Sequence, residues 1–160
     1  MRFKVVPPAP DDLDALEAAR RAVPLVPRSE NDCCARVMDR AGVPARDEAK
    51  EWLTFMRALG LVTEGDRGYH RTRDPLDRDA LAAAFRERVY GAADLLDALD
   101  PEEPRSAEAA FERFADAVPA WERRRHADWR RVWRERVGRL LDWAVLFGLA
   151  TREDGGYVRG

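Results

Sequence analysis

Trp52-Leu-Thr-Phe-Met-Arg-Ala-Leu-Gly-Leu-Val-Thr-Glu-Gly-Asp-Arg-Gly-Tyr-His-Arg71 and Leu140-Leu-Asp-Trp-Ala-Val-Leu-Phe-Gly-Leu-Ala-Thr-Arg-Glu-Asp-Gly-Gly-Tyr-Val-Arg159 align without a gap. Leu53 matches Leu141, Gly60 matches Gly148, Leu61 matches Leu149 and Thr63 matches Thr151. Gly68, Tyr69 and Arg71 match Gly156, Tyr157 and Arg159, while Phe55 faces Trp143 and Leu59 faces Phe147, so apolar character persists where identity is lost. An internal repeat of this kind means the chain contains two copies of one structural unit.

Each copy has the same physical reading. An amphipathic helix stops where a glycine, Gly60 or Gly148, can take the left-handed conformation after its last turn. A short β segment follows, Leu61-Val-Thr-Glu or Leu149-Ala-Thr-Arg, then a turn rich in Gly and Asp, then Tyr69-His-Arg-Thr or Tyr157-Val-Arg. Asp154-Gly155 is a strong hairpin signal because both central positions of a tight hairpin turn favour positive φ.

A helix that ends in glycine and runs straight into a small hairpin resembles the end of a winged-helix domain, where the third helix is followed by the wing. The Leu-Gly-Leu-Val, Gly-Tyr and Thr pattern resembles that of prokaryotic and archaeal winged-helix (winged helix-turn-helix) regulators, over about twenty residues in each copy. The resemblance implies a mainly α fold with small β-hairpins: two tandem winged-helix domains, each of three helices plus a wing.

The sequence upstream of each copy supplies the remaining helices. Leu13, Leu16, Ala19 and Val23 recur at helical spacing in the first half. Ser29 stands three residues before Asp32 in a cap-like start, and Cys33, Cys34, Val37, Met38 and Ala41 form the apolar face of a second helix. Gly42-Val-Pro-Ala is the turn into the third. In the second half, Leu81, Phe85, Val89, Ala92, Leu96 and Leu99 line one helix face, Asp100-Pro-Glu-Glu-Pro-Arg breaks it, and Ser106 caps a helix carrying Phe111, Phe114 and Val118. The expected domains are residues 1–75 and 76–160, with the boundary near Thr72 to Asp79.

The copies differ in length. Val43-Pro44 echoes Val118-Pro119, yet Pro44 lies 16 residues before Gly60 and Pro119 lies 29 before Gly148. The third helix of the second copy is therefore expected to be longer by about three or four turns. On a helical wheel, Trp129, Val132, Trp133, Val137, Leu140, Trp143 and Ala144 share one face, and Arg123, Arg124, Arg130, Arg131 and Arg134 gather on the other. Residues 119–139 hold eight arginines against three acids, a local charge of +5, whereas 77–118 carries −6.

Two readings compete for these arginines. One is a solvated helix face, partly paired with the acids between Asp94 and Glu103. The other is a surface for double-stranded DNA, since the arginine fork and permanent charge suit phosphate contact. The wings offer Arg67, Arg71, Arg152 and Arg159 to the backbone or minor groove, or as polar hairpin edges. The third helix of the first copy offers Arg46, Lys50 and Arg57 beside Asp47, Glu48 and Glu51. The tryptophans could stack on bases, but their helical spacing favours core packing. The functional reading is a DNA-binding transcriptional regulator or DNA-associated factor; the alternative is a tandem winged-helix module that binds a protein partner or forms a homodimer, because the fold serves both.

Composition narrows the field further. A chain of 160 residues with 46% hydrophobic content can build one or two cores, and its net charge of −2 does not by itself announce nucleic acid. Lys4 and Lys50 are the only lysines among 28 basic residues. Short apolar runs and a start lacking a signal-peptide core lead to the expectation of a cytoplasmic protein that does not enter membranes. Adjacent Cys33 and Cys34 read as reduced, buried residues. His70 and His126 lack neighbours at metal-ligand spacing, and no phosphate-cradling glycine loop or nucleophile elbow occurs, so neither a metal, a cofactor nor an enzyme is expected.

Overall fold

Asp12 accepts a hydrogen bond from the Ala15 amide at 3.0 Å and so starts helix α1, Leu13–Ala22. Ser29 does the same for α2, Glu30–Ala41, through the Asp32 amide at 3.1 Å. Gly42, at φ +70, ends α2 and lets the chain turn into α3, Arg46–Ala58. Strands β1, Val62–Gly65, and β2, Gly68–Arg71, then pair antiparallel, followed by α4, Arg78–Arg88. These assignments come from a computed structural model that describes residues 3–160.

The second half repeats the plan. Helices α5, Ala92–Asp97, and α6, Ala107–Phe114, lead through a 3-10 turn at Ala115–Ala117 to α7, Ala120–Arg125, and α8, Trp129–Leu146. Strands β3, Ala150–Glu153, and β4, Gly156–Arg159, form the second antiparallel hairpin. Its turn places Asp154 at φ 50 and Gly155 at φ 76, the positive pair that the Asp-Gly signal anticipates.

The repeated glycines stop their helices in the same way. Gly60 at φ +78 and Gly148 at φ +77 are left-handed, and the next amide turns back onto the last turn, Leu61 to the Met56 carbonyl at 2.9 Å and Leu149 to the Ala144 carbonyl at 2.8 Å. Each hairpin also carries a third, one-residue strand. Arg28 and Tyr69 exchange backbone hydrogen bonds at 2.9 and 2.8 Å, and Arg105 and Tyr157 do so at 3.0 and 2.8 Å. The order in each copy is thus helix, short strand, helix, helix and hairpin, which brings the wing back beside the start of the second helix.

Packing divides the chain into a unit that ends at Val89 and a unit spanning Tyr90–Gly160. The core of the first holds Leu16, Cys33, Cys34, Val37, Leu53, Phe55 and Met56; that of the second holds Leu95, Leu96, Phe111, Phe114, Trp133, Leu141 and Trp143. Residues 81–99 do not form one helix as their spacing suggests. Gly91 breaks the segment at φ +85, where a Cβ would lie 3.0 Å from the Phe114 ring. The part before the break, α4, packs in the first unit, with Phe85 edge-on to Phe55 at 6.3 Å between ring centroids.

The long third helix of the second copy is also interrupted. α7 and α8 are separated by His126–Asp128, and His126 is extended. The break lets Arg123 lie over the Trp129 ring, 4.6 Å from its centroid. In one continuous helix these residues would stand about 9 Å apart along the axis and on different faces. Trp129 is consequently only half-buried, and Trp121 is exposed, while Trp52, Trp133 and Trp143 are core residues. Core packing therefore holds for three of the five tryptophans, not for the whole set.

Candidate nucleic-acid interface

The basic side chains on the third helices and wings are held in very different ways. In the first unit, Arg46 donates to Asn31 and Lys50 lies 3.6 Å from Glu30, so the start of α3 is tied to the start of α2. Arg57 lies 3.3 Å from Glu64 on the wing and covers the Phe3 ring. Arg71 points back into the unit, its Nη1 donating to the Arg21 carbonyl at 2.6 Å. Arg67, in the two-residue turn of the hairpin, is exposed and has no partner among the described residues.

In the second unit, α8 projects Arg130, Arg131 and Arg134 from its exposed side. Arg134 Nε lies 2.7 Å from Glu108 Oε2, and Arg130 pairs with Glu112; both acids belong to α6. The two guanidinium groups also flank the Phe111 ring at 5.1 and 5.2 Å. Arg131 pairs with Asp128 and reaches Glu135 at 3.6 Å. The hydrogen bond from Arg131 holds the Asp128 carboxyl below its usual range. The acids pairing with these arginines are therefore Glu108 and Glu112 of α6, Glu135 of α8 and Asp128 just before it, and not the stretch from Asp94 to Glu103 that the sequence suggested.

The α7 arginines divide by orientation. Arg123 turns inward and donates to the Ala115 carbonyl, which together with its place over Trp129 makes it part of the packing. Arg124 and Arg125 are exposed and meet no partner among the described residues. On the second wing, Arg152 lies 2.7 Å from Asp142 of α8, whose Oδ1 also accepts the Tyr157 hydroxyl at 3.0 Å. Arg159 stands 3.9 Å from Asp97.

Several of these placements could not be read from the sequence. Arg125 lies off the arginine face of a continuous helical wheel, yet in α7 it is exposed beside Arg124. The carboxylate partners Glu108 and Glu112 were hidden because α6 and α8 are distant in sequence. Their i, i+4 spacing along α6 opposite the i, i+4 spacing of Arg130 and Arg134 on α8 was the available signal.

No cluster of three or more His, Cys, Asp or Glu with metal-holding geometry occurs among the described residues. Cys33 and Cys34 are both fully buried, and the Cys33 thiol faces the carbonyls of Arg28 and Tyr69 at 3.8 and 3.9 Å. His126 Nε2 lies 3.9 Å from the buried Glu122 carboxylate. No helix among the described residues is long and apolar enough to cross a membrane.

Two units that share the order helix, short strand, helix, third helix (interrupted in the second unit) and hairpin, with the short strand pairing on the wing and α4 following the first hairpin, define a tandem winged-helix protein. The chain belongs to the halobacterial double winged helix domain family, whose model matches residues 1–160. Comparison with curated proteins and with solved structures gave no match.

Proposed function

We propose that this double winged-helix chain is a non-enzymatic, regulator-type protein that binds double-stranded DNA, with the second unit making the main backbone contacts. The observation that carries this reading is the basic surface running from Arg124 and Arg125 on α7 to Arg130, Arg131 and Arg134 on α8. The first two have no partner among the described residues, and the acids that pair with the last three are themselves half exposed or more. Exposed ion pairs contribute about 0–1 kcal/mol each, so a phosphate can replace a carboxylate at small cost. Arg67 at the first wing tip adds a further free cation.

A second reading has its own support. Leu25, Val26 and Trp121 are exposed large hydrophobic residues, and most basic residues of the first unit are tied to partners of the same unit. Both features suit a surface that binds protein. Electrophoretic mobility of random duplex DNA over a series of salt concentrations separates the two. DNA binding predicts a shift at low salt that weakens steeply as salt rises. A parent protein that leaves duplex DNA unshifted at low salt removes the DNA reading and leaves the protein-binding one.

A further inference from the structure

A different concentration of arginine lies away from both third helices. In the first unit, a cavity of about 300 Å³ opens between the last turn of α1 and the chain leaving β2. Arg20, Arg21, Arg71 and Arg73 line it, with Glu17 as the one acid among its lining residues. Four cations against one carboxylate leave the cavity with a formal charge of +3.

The chain's own interactions fix Arg20 and Arg71 and leave Arg21 and Arg73 reaching into solvent. Arg20 is 5% exposed, and its two terminal nitrogens are engaged, one by the Asp74 carbonyl at 2.6 Å and one by Glu17 Oε1 at 2.7 Å. Its Nε is buried with no hydrogen-bond partner, and so is Glu17 Oε2. Arg71 is anchored by one nitrogen on the carbonyls of Arg21 and Val23. Arg73 is exposed and has no partner among the described residues. Arg21 shares Glu17 Oε1 with Arg20 at 3.2 Å and extends into solvent.

Arg20 and Arg71 are held at the wall of this space and Arg21 and Arg73 reach it from solvent, so four guanidinium groups against one carboxylate form a donor-rich lining that matches the acceptors of an anion. We infer that this cavity is a binding site for a small phosphate-bearing anion, either inorganic phosphate or a small phosphate monoester. Its volume is at the small end of ligand sites, which suits a compact anion. A DNA strand lying across the surface would engage exposed guanidinium tips; here Arg20 is buried and Arg71 half-buried, so the recessed donors favour a small molecule. The inference stands apart from the DNA-binding proposal, since it uses none of the α7 or α8 arginines.

The test is calorimetric titration of the full chain, at constant ionic strength in chloride, with inorganic phosphate and in parallel with glycerol phosphate. Saturable binding of either supports the site, and the tighter of the two identifies the source. Arg21→Ala and Arg73→Ala, both at exposed side chains, should fold normally and together weaken binding by about tenfold or more. Arg40→Ala, at an exposed position outside the cavity, should leave it unchanged. The inference is overturned by absence of saturable binding for both anions, by equal weakening in Arg40→Ala, or by an Arg21→Ala/Arg73→Ala double variant with parental affinity. It is equally overturned if that double variant loses duplex DNA affinity while neither small anion binds the parent.

Discussion

A Cβ placed on Gly68 would lie 2.1 Å from the carbonyl oxygen of Arg28, closer than any side chain tolerates. Gly68 is also at φ +117, where L-residues are strained. The contact exists because Arg28 forms the third strand on the wing, and the same arrangement recurs at Gly156, where a Cβ would lie 2.8 Å from the Arg105 carbonyl oxygen. Both matched glycines are therefore required by the close approach of a strand that precedes the second helix by one residue.

Gly68→Ala should destabilise the first unit by about 2–4 kcal/mol, since it combines a backbone clash with an unfavourable φ. Gly65→Ala, three residues earlier, has open space around its Cβ and should stay within about 0.5 kcal/mol of the parent. Urea unfolding of the two variants, side by side, measures the difference. Equal stability would mean that the Arg28 strand does not pack on the wing.

The repeat made the fold legible because its fixed points are backbone requirements. Gly60 and Gly148 stop a helix, Asp154-Gly155 sets a turn, and Ser29 and Ser106 cap helices, and each of these acts within a few residues of chain. Continuity of helices was less legible. Apolar spacing runs through Val89, and the charged run 122–126 contains no Gly or Pro to mark a stop; the structure breaks the first at Gly91, left-handed and close against Phe114, and the second at 126–128, where Arg123 folds over Trp129. The candidate basic surface was visible as a charge run, but whether each arginine meets solvent, a carbonyl or a glutamate depends on α6 lying beside α8. Arg71 and Arg123 illustrate the difference, since both turn inward to backbone carbonyls that no spacing rule reveals.

Burial pushes the Cys33 thiol up to about 11 from an ordinary value of 9.0, with Asp32 adding to the effect. The folded state therefore holds this proton more tightly than the unfolded state. The contribution to stability is complete below 9.0 and is lost as pH rises through about 11. Unfolding free energy should fall over that window, and Cys33→Ala should show a shallower fall, measured by urea titration at a series of alkaline pH values. In the native protein at neutral pH, both cysteines should resist thiol reagents until the chain unfolds.

Asp142 joins α8 to the second wing by accepting from both Arg152 and the Tyr157 hydroxyl. Burial is the main cause of the raised ionisation of Tyr157, and the hydrogen bond to Asp142 adds to it. Asp142→Ala should thus lower the Tyr157 ionisation pH toward the ordinary tyrosine value without fully restoring it, as read by ultraviolet titration against a Tyr157→Phe control. Hydrogen exchange at the β3 and β4 amides should speed up in the same variant, while the β1 and β2 amides keep the parental rate. Unchanged exchange on the second wing would show that Asp142 does not restrain it.

The proximity of Glu108 and Glu112 to Arg134 and Arg130 yields the sharpest test of the proposed DNA surface. If those arginines contact phosphates, the two glutamates compete for the same donors and repel the backbone. Glu108→Gln together with Glu112→Gln should then tighten binding to random duplex DNA, while folding stability falls by no more than about 1 kcal/mol per exposed pair. Replacing Arg130, Arg131 and Arg134 by Ala should act in the opposite direction, weakening binding to all sequences and reducing the salt slope by about one for each lost phosphate contact. Arg124→Ala with Arg125→Ala should weaken binding without any loss of stability, because these two side chains meet no partner among the described residues. A glutamine double variant whose DNA affinity equals the parent's, alongside arginine variants that change only stability, would assign the α6–α8 pairs to helix packing and turn the search for a partner to the exposed Leu25, Val26 and Trp121.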